Sequence, residues 1–245
     1  MISLYSAAIE RWKQRNGYTD VKLRAALIDM DGTLFDSMPR HSQAWERLAA
    51  EEGIAVEPGE FFLHEGRTGA ATINILFQRT FGRPATPEEQ KELYKRKTIY
   101  FKELPDVDAM PGAARMLSQL KLAGVTRVLV TGSAQGSLLD RLDAEFPGAF
   151  PPDLRITGSD VTHGKPHPEP FLKAMQLAAA LPSQSMVIEN APLGVEAGRA
   201  SGALTVAVNT GPIPAATLEE AGADIVFPSM NHLADAIPLI MAAFR

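Results

Sequence analysis

The chain has 245 residues and a formal net charge of −5, with 24 Lys and Arg against 29 Asp and Glu. At ~100–200 residues per domain this is one large domain, or one domain with an insert, and the acidic balance argues against a nucleic-acid partner, which needs a basic face. Cysteine is absent, which excludes a disulfide framework, a Cys-ligated zinc site and a thiol nucleophile, so covalent catalysis must use oxygen, nitrogen or a metal-bound water.

Residues 1–20 carry apolar side chains at Leu4, Ala8, Ile9 and Trp12, broken by Glu10, Arg11 and Lys13. This stretch lacks the apolar centre of a signal peptide and reads as an amphipathic helical extension that either docks or frays. No apolar run reaches the ~20 residues a bilayer requires, so the expectation is a cytoplasmic protein with no membrane partner.

The run LRAALID (23–29) is nearly continuous in apolar character and ends in an acid, as a strand buried on both faces does. Similar runs follow at 125–131, 154–157, 186–190, 204–208 and 223–227. Helical patterns lie between and after them, at 111–124, 135–146, 168–180, 192–202 and 231–244. The alternation predicts an α/β core with a doubly wound, mostly parallel, Rossmann-like sheet, whose ligand sits beyond the carboxyl ends of its strands. From 38 to 106 the alternation stops and only helical patterns remain. One helix start there is Thr86-Pro87-Glu88-Glu89, a capping box with Pro in the first helical position. The predicted organisation is therefore a core of residues 21–37 and 107–245, interrupted by a helical cap domain at 38–106.

Four polar segments fall at or near the predicted sheet edge. Asp29-Met30-Asp31-Gly32-Thr33 brings two carboxylates at i and i+2 to one strand end, which fits either a catalytic pair or a polar turn. Thr131-Gly132-Ser133 offers hydroxyls and N–H groups, suited to a phosphate or to a helix cap. Gly164-Lys165-Pro166 carries a fixed cation or an exposed loop lysine. Glu189-Asn190 supplies hard oxygen ligands of the kind Mg²⁺ takes, or a capping acid. His163 and His167 straddle Lys165-Pro166, so helical metal-ligand geometry is not available to them.

Taken together, DMDGTLFDS, VTGS, GKPHPEPF and IENAPLGVEAG resemble the motifs of the haloacid dehalogenase superfamily, β-phosphoglucomutase-like subgroup, from about residue 23 to the end. The resemblance implies an aspartyl-phosphate mechanism with Asp29 as nucleophile and Asp31 as general acid and base. It places Thr131 and Lys165, with Gly132 and Ser133, on the phosphoryl oxygens, and Mg²⁺ among Asp29, the Asp31 carbonyl, Glu189 and Asn190. Neighbouring negative charge is expected to help Asp31 hold a proton while the metal keeps Asp29 ionised. His41 falls where relatives carry a cap histidine, and His64-Glu65-Gly66-Arg67-Thr68-Gly69 resembles the substrate-specificity loop. Three positions depart from a mutase pattern: Glu65 and Ala134 stand where lysines are expected, and Asn190 replaces an aspartate. HEGRTG with IENAPLGVEAG resembles an inorganic pyrophosphatase of this subgroup, in which Glu65 would ligate metal and Arg67 would clamp the leaving phosphate. The reading is a Mg²⁺-dependent phosphohydrolase, monomeric or weakly oligomeric, with inorganic pyrophosphate as its lead substrate. The alternatives are a sugar-phosphate mutase, a small sugar-phosphate phosphatase or a non-catalytic phosphate-binding protein.

Overall fold

The structure is a computed structural model, and it describes residues 2–133 and 136–244. Ala134, one of the departures from the mutase pattern, lies outside the described residues. Among the described residues, six strands pair in parallel: β1 (Ala25–Ile28), β2 (Thr126–Val130), β3 (Arg155–Ile156), β4 (Ser185–Glu189), β5 (Leu204–Val208) and β6 (Ile225–Phe227). Their order is β3-β2-β1-β4-β5-β6, so the chain builds outward from β1 on one side and then crosses to β4 on the other. That reversal opens a crevice at the carboxyl ends of β1 and β4, where a doubly wound sheet binds its ligand.

Both sheet faces are covered, which is why the strand sequences are apolar throughout rather than alternating. Ala26, Ile28, Leu129, Met186 and Ile188 join one core cluster with α1 (Ile2–Asn16), α6 (Ala113–Leu122) and α11 (Met230–Ala243). Ala25, Leu27, Val128, Val130 and Val187 join another, built on Phe171, Ala174 and Met175 of α8 (Glu169–Leu177). The period of two along each strand divides these sets. α7 (Gly136–Glu145), α9 (Pro192–Ala200) and the short α10 (Ala215–Glu220) complete the layers. The sequence pattern gave no sign of α10, six residues anchored by one buried side chain, Leu218. β3 is shorter than its apolar run predicts, because only Leu129 and Val130 of β2 find partners on it.

Residues 38–103 hold α2 (Met38–Glu51), α3 (Glu60–Leu63), α4 (Gly69–Phe81) and α5 (Pro87–Glu103). Trp45, Leu48, Phe61, Ile73, Leu76, Phe77 and Leu93 form a core of their own, separate from those of the sheet. The Thr86 capping box is present in both directions: Glu89 N–H donates to Thr86 Oγ1 at 3.2 Å, and Thr86 N–H to Glu89 Oε2 at 2.7 Å. The two strands of chain that join this insert to the sheet run side by side. Asp36 N–H donates to the Asp108 carbonyl at 3.0 Å, and Met110 N–H to the Leu34 carbonyl at 2.8 Å.

No described helix is long and apolar enough to cross a membrane. The N-terminal helix docks. Trp12 of α1 is fully buried, its rings 5.3 Å from Tyr18 and 5.8 Å from Phe244 by centroid, and its Nε1–H donates to the Gly202 carbonyl at 2.9 Å. Arg15 pairs with Asp224 at 2.6 Å beside it. Trp12→Ala should therefore destabilise the fold by about 3–5 kcal/mol. Urea denaturation measures this, and an unchanged midpoint would mean that α1 contributes nothing to stability.

Candidate active site

Asp29 follows β1 directly, and its N–H donates to the Ile188 carbonyl at 3.0 Å, extending the ladder by one residue. The chain then turns tightly, with the Met30 carbonyl accepting from the N–H groups of Thr33, Leu34 and Phe35. Gly32 is left-handed at φ 73° and lies so close to Asn190 that a Cβ there would sit 2.0 Å from Nδ2, so both the turn and the approach require glycine. The turn aims Asp31 into the same buried space as Asp29. Its Oδ1 accepts from Ser37 Oγ at 2.6 Å and is 3.0 Å from His41 Nε2, and its Oδ2 accepts from Thr131 Oγ1 at 3.3 Å. Thr131 Oγ1 in turn accepts from Ser133 N–H at 3.0 Å.

Lys165 is almost completely buried. Its Nζ lies 2.5 Å from Asp29 Oδ1 and 2.5 Å from Glu189 Oε1, and it also donates to the Val130 carbonyl at 3.2 Å. Glu189 ends β4, where its Oε2 accepts from the N–H groups of Asn190 and Ala191. Asn190 Nδ2 donates to Glu65 Oε1 at 2.7 Å, and Asn190 Oδ1 accepts from Thr33 Oγ1 at 3.2 Å. Glu65 is thus not a solvated loop acid: it reaches in from the insert and is buried against the sheet edge.

On the insert side, Lys97 of α5 is fully buried, with its Nζ 2.5 Å from His41 Nδ1. A chain therefore runs from Lys97 through His41 to Asp31. Sequence reasoning missed Lys97. The signal was there: Leu93, Lys97 and Phe101 make one buried stripe at i, i+4 and i+8, with a lysine in an otherwise apolar set.

Between the two halves lies a cavity of about 60 Å³. Asp29, Asp31, His41, Glu65, Arg67, Gly132 and Ser133 line it, while Lys165, Glu189 and Asn190 stand behind Asp29. Trp45, Phe61 and Tyr94 give its insert side an aromatic wall. Arg67 is half-buried there, and its Nε has no hydrogen-bond partner. His163 and His167 come together through the turn around Lys165, with ring centroids 4.8 Å apart and Glu169 beside them. Glu169, however, already accepts from the N–H groups of Thr162 and His163 and pairs with Lys173, so its oxygens serve the loop.

The protein's own charges set the two aspartates apart. Burial pushes Asp29 up, Glu189 adds to this, and Lys165 only partly opposes it, so its carboxyl rises to about 8. Burial also acts on Asp31, but the charge and hydrogen bond of His41, with Ser37 and Lys97, outweigh it and hold Asp31 down at about 2. These side chains thus favour ionisation at Asp31 over Asp29, because the insert supplies Asp31's partners. Glu65 is pushed well above the usual carboxylate range by burial and by Asp29, Glu189 and Asp31, despite the Asn190 hydrogen bond. Asp29 and Glu189 pull Lys165 up against its burial. Burial takes Lys97 down to about 7.

Three buried carboxylates, Asp29, Asp31 and Glu65, line this space, and Glu189 shares Lys165 with Asp29. Asp29 Oδ2 is buried without a hydrogen-bond donor, while Glu189 Oε1 is met by the Lys165 ammonium. Hard oxygen donors in excess of the available cations, with an orphaned oxygen among them, fit Mg²⁺.

A family model described as a haloacid dehalogenase-like hydrolase matches residues 23–202. Hexitol phosphatase A of Escherichia coli is 31% identical over 87% of this chain and 94% of its own length. The 2-deoxyglucose-6-phosphate phosphatase 1 of Saccharomyces cerevisiae is 32% identical over 84% of this chain and 88% of its own. Among solved structures, "Putative beta-phosphoglucomutase from Bacteroides vulgatus" superposes with a TM-score of 0.96 at 43% identity, covering 100% of both chains. The expected likeness to an inorganic pyrophosphatase finds no support in these relatives, whose names speak of sugar and polyol phosphates. With the family model spanning most of its length, from the first strand past the Glu189 loop, the chain belongs to the haloacid dehalogenase-like hydrolases.

Proposed function

We propose that this hydrolase is a Mg²⁺-dependent phosphatase of small phosphorylated sugars or polyols, working through an aspartyl-phosphate on Asp29. The observation that carries the reading is the Asp29–Asp31 pair, with Lys165 held 2.5 Å from both Asp29 and Glu189 beside a cavity that the helical insert closes. The names of the sugar-phosphate relatives support the substrate class.

In this reading the Asp29 carboxylate attacks phosphorus in line, the P–O bond to the leaving group breaks, and Asp31 delivers a proton to the departing oxygen. Asp31 then takes a proton from the water that hydrolyses the aspartyl-phosphate. Its partners favour ionised Asp31 in the free site, so the proton it delivers is one it takes up from solvent as substrate binds. The phosphoryl dianion beside it favours proton uptake, and the Lys97–His41 chain ends on its Oδ1. Lys165, Thr131 Oγ1 and the Ser133 N–H hold the phosphoryl oxygens. Asp29, Glu189, Asn190 and the Asp31 carbonyl would hold Mg²⁺, whose charge offsets the repulsion between carboxylate and phosphoryl group. The insert acts as a cap that excludes water and meets the leaving group.

A second reading, inorganic pyrophosphate as substrate, rests on the buried Glu65–Asn190 contact at 2.7 Å, which brings an acid from the insert to the proposed metal ligands. Release of phosphate from a hexitol phosphate, a hexose 6-phosphate and pyrophosphate, each with and without Mg²⁺, separates the two. β-Glucose 1-phosphate with its bisphosphate activator tests for mutase turnover. Sugar-phosphate hydrolysis that dominates the panel supports the main reading, whereas efficient isomerisation or a dominant pyrophosphatase activity overturns it. Under the main reading, Glu65→Gln lowers pyrophosphate and sugar-phosphate turnover alike. A loss on pyrophosphate at least about tenfold greater supports the second reading.

Asp29→Asn should lower turnover by about 10³-fold or more. Its melting temperature should stay level or rise at neutral pH, because a carboxyl that is ionised in the unfolded chain and raised to about 8 in the fold must take up a proton to fold there. Near-normal turnover in a pure preparation would remove Asp29 as nucleophile.

A pH profile tests the insert's part. Lys97 titrates at about 7 in the fold, against 10.5 when unperturbed. As the pH rises through 7 the ammonium beside His41 Nδ1 loses its charge, and the chain that ends on Asp31 loses its cation, so kcat/KM should fall on that limb. Lys97→Met should lower the plateau and remove this limb; a limb that persists in the variant would assign it to another group.

A further inference from the structure

A second cleft, of about 320 Å³, opens beside the catalytic cavity, between the insert and the core loops. It is more than five times the size of the cavity that holds Asp29 and Asp31, at about 60 Å³. Thr68, Pro87, Lys91 and Ser159 line it, and no catalytic side chain named above does so. Lys91 is exposed and has no hydrogen bond or ion pair among the described residues.

The inner cavity and the outer cleft share three lining residues: Gly69, Gly132 and Tyr94. Two of these have no side chain, so the one side chain common to both spaces is the Tyr94 ring. It lies directly on the backbone of Gly69, where a Cβ would come within 2.1 Å of Cδ2. On its inner side are Trp45, with ring centroids 6.3 Å apart, and the Lys97 ammonium, 6.0 Å from the Tyr94 centroid. The same α5 thus presents Lys91 to the outer cleft and Lys97 to the inner cavity, with Tyr94 between them.

We propose that Tyr94 is a specificity-determining residue, a wall that confines the leaving group to the inner cavity and keeps bulkier hydroxylated groups from extending into the outer cleft. This rests on the phosphatase reading above. The volume of the inner cavity falls well below the ~300–1,000 Å³ typical of pockets that enclose larger ligands, so the space inside the wall favours small leaving groups. The chemistry of the outer cleft is that of a hydroxyl-rich or anionic tail: an unpaired ammonium on Lys91, a hydroxyl on Ser159 and the aromatic face of Tyr94.

The test is kcat/KM for glycerol 3-phosphate, glucose 6-phosphate and a disaccharide phosphate, measured for wild type, Tyr94→Ala and Tyr94→Phe. The readout is the ratio of the largest to the smallest substrate within each protein, so partial misfolding of a variant cancels. Tyr94→Ala should raise that ratio at least about tenfold, a change of roughly 1.4 kcal/mol. Tyr94→Phe keeps the ring and should keep the wild-type ratio. An unchanged ratio in active Tyr94→Ala, or a ratio raised equally in Tyr94→Phe, overturns the wall. Wild type that hydrolyses none of the three esters overturns the phosphatase reading and the wall with it.

Discussion

One buried ammonium organises the sheet-edge half of the candidate site. Lys165 sits between Asp29 and Glu189, which end neighbouring strands, and joins both to the backbone at Val130. A buried cation is tolerated only when paired, so the loop that delivers it must be held in place. Surface interactions do this: Glu169 accepts from two loop amides, Asp160 accepts from Thr157 N–H, and Lys173 reaches back to the Asp160 carbonyl. The exposed histidines of that loop belong to its scaffolding, with His163 and His167 both hydrogen-bonded to Glu169.

The other half of the site comes from the insert, and the two halves treat their aspartates differently. The sheet surrounds Asp29 with acid and one lysine, whereas α2 and α5 give Asp31 a histidine and, behind it, a second lysine. Separated proton affinities in a pair two residues apart are what distinct chemical roles require. They depend here on the insert lying against the core, since His41 and Lys97 both come from it. The paired linkers at Asp36–Asp108 and Leu34–Met110 make that placement reproducible.

Much of this was legible in the sequence. Apolar runs marked each strand, because a sheet covered on both faces leaves no polar alternation to blur them, and the acids of the motifs fell at or just after strand ends, with the lysine in the loop before α8. The insert was visible as a break in the alternation, and the Thr86 capping box located α5. The proton affinities were not legible, since they depend on which side chains from distant segments converge: Ser37, His41 and Lys97 on Asp31, Glu189 on Asp29. Lys97 was hidden because a lysine on a charged helix looks solvated, and only the stripe of Leu93 and Phe101 marks its face as buried. The pyrophosphatase expectation leaned on Glu65. Its burial against Asn190 is a fact of the site, but the substrate class indicated by the relatives' names is a different one.

The docking of α1 also bears on how the protein is made. Its partners lie near the far end of the chain: Gly202, Asp224, α11 and Phe244. A chain emerging from the ribosome at ~5–20 residues per second exposes α1, with Trp12 on its apolar face, for most of its synthesis before anything exists to cover it. β1 likewise waits, since β4, one of its two neighbours in the sheet, comes more than 150 residues later. The helical insert, whose core draws only on residues 45–100, has its contacts in hand long before. The two halves of the site are therefore assembled out of chain order: the helical insert can form first, and the surroundings of Asp29, near the chain's beginning, close last.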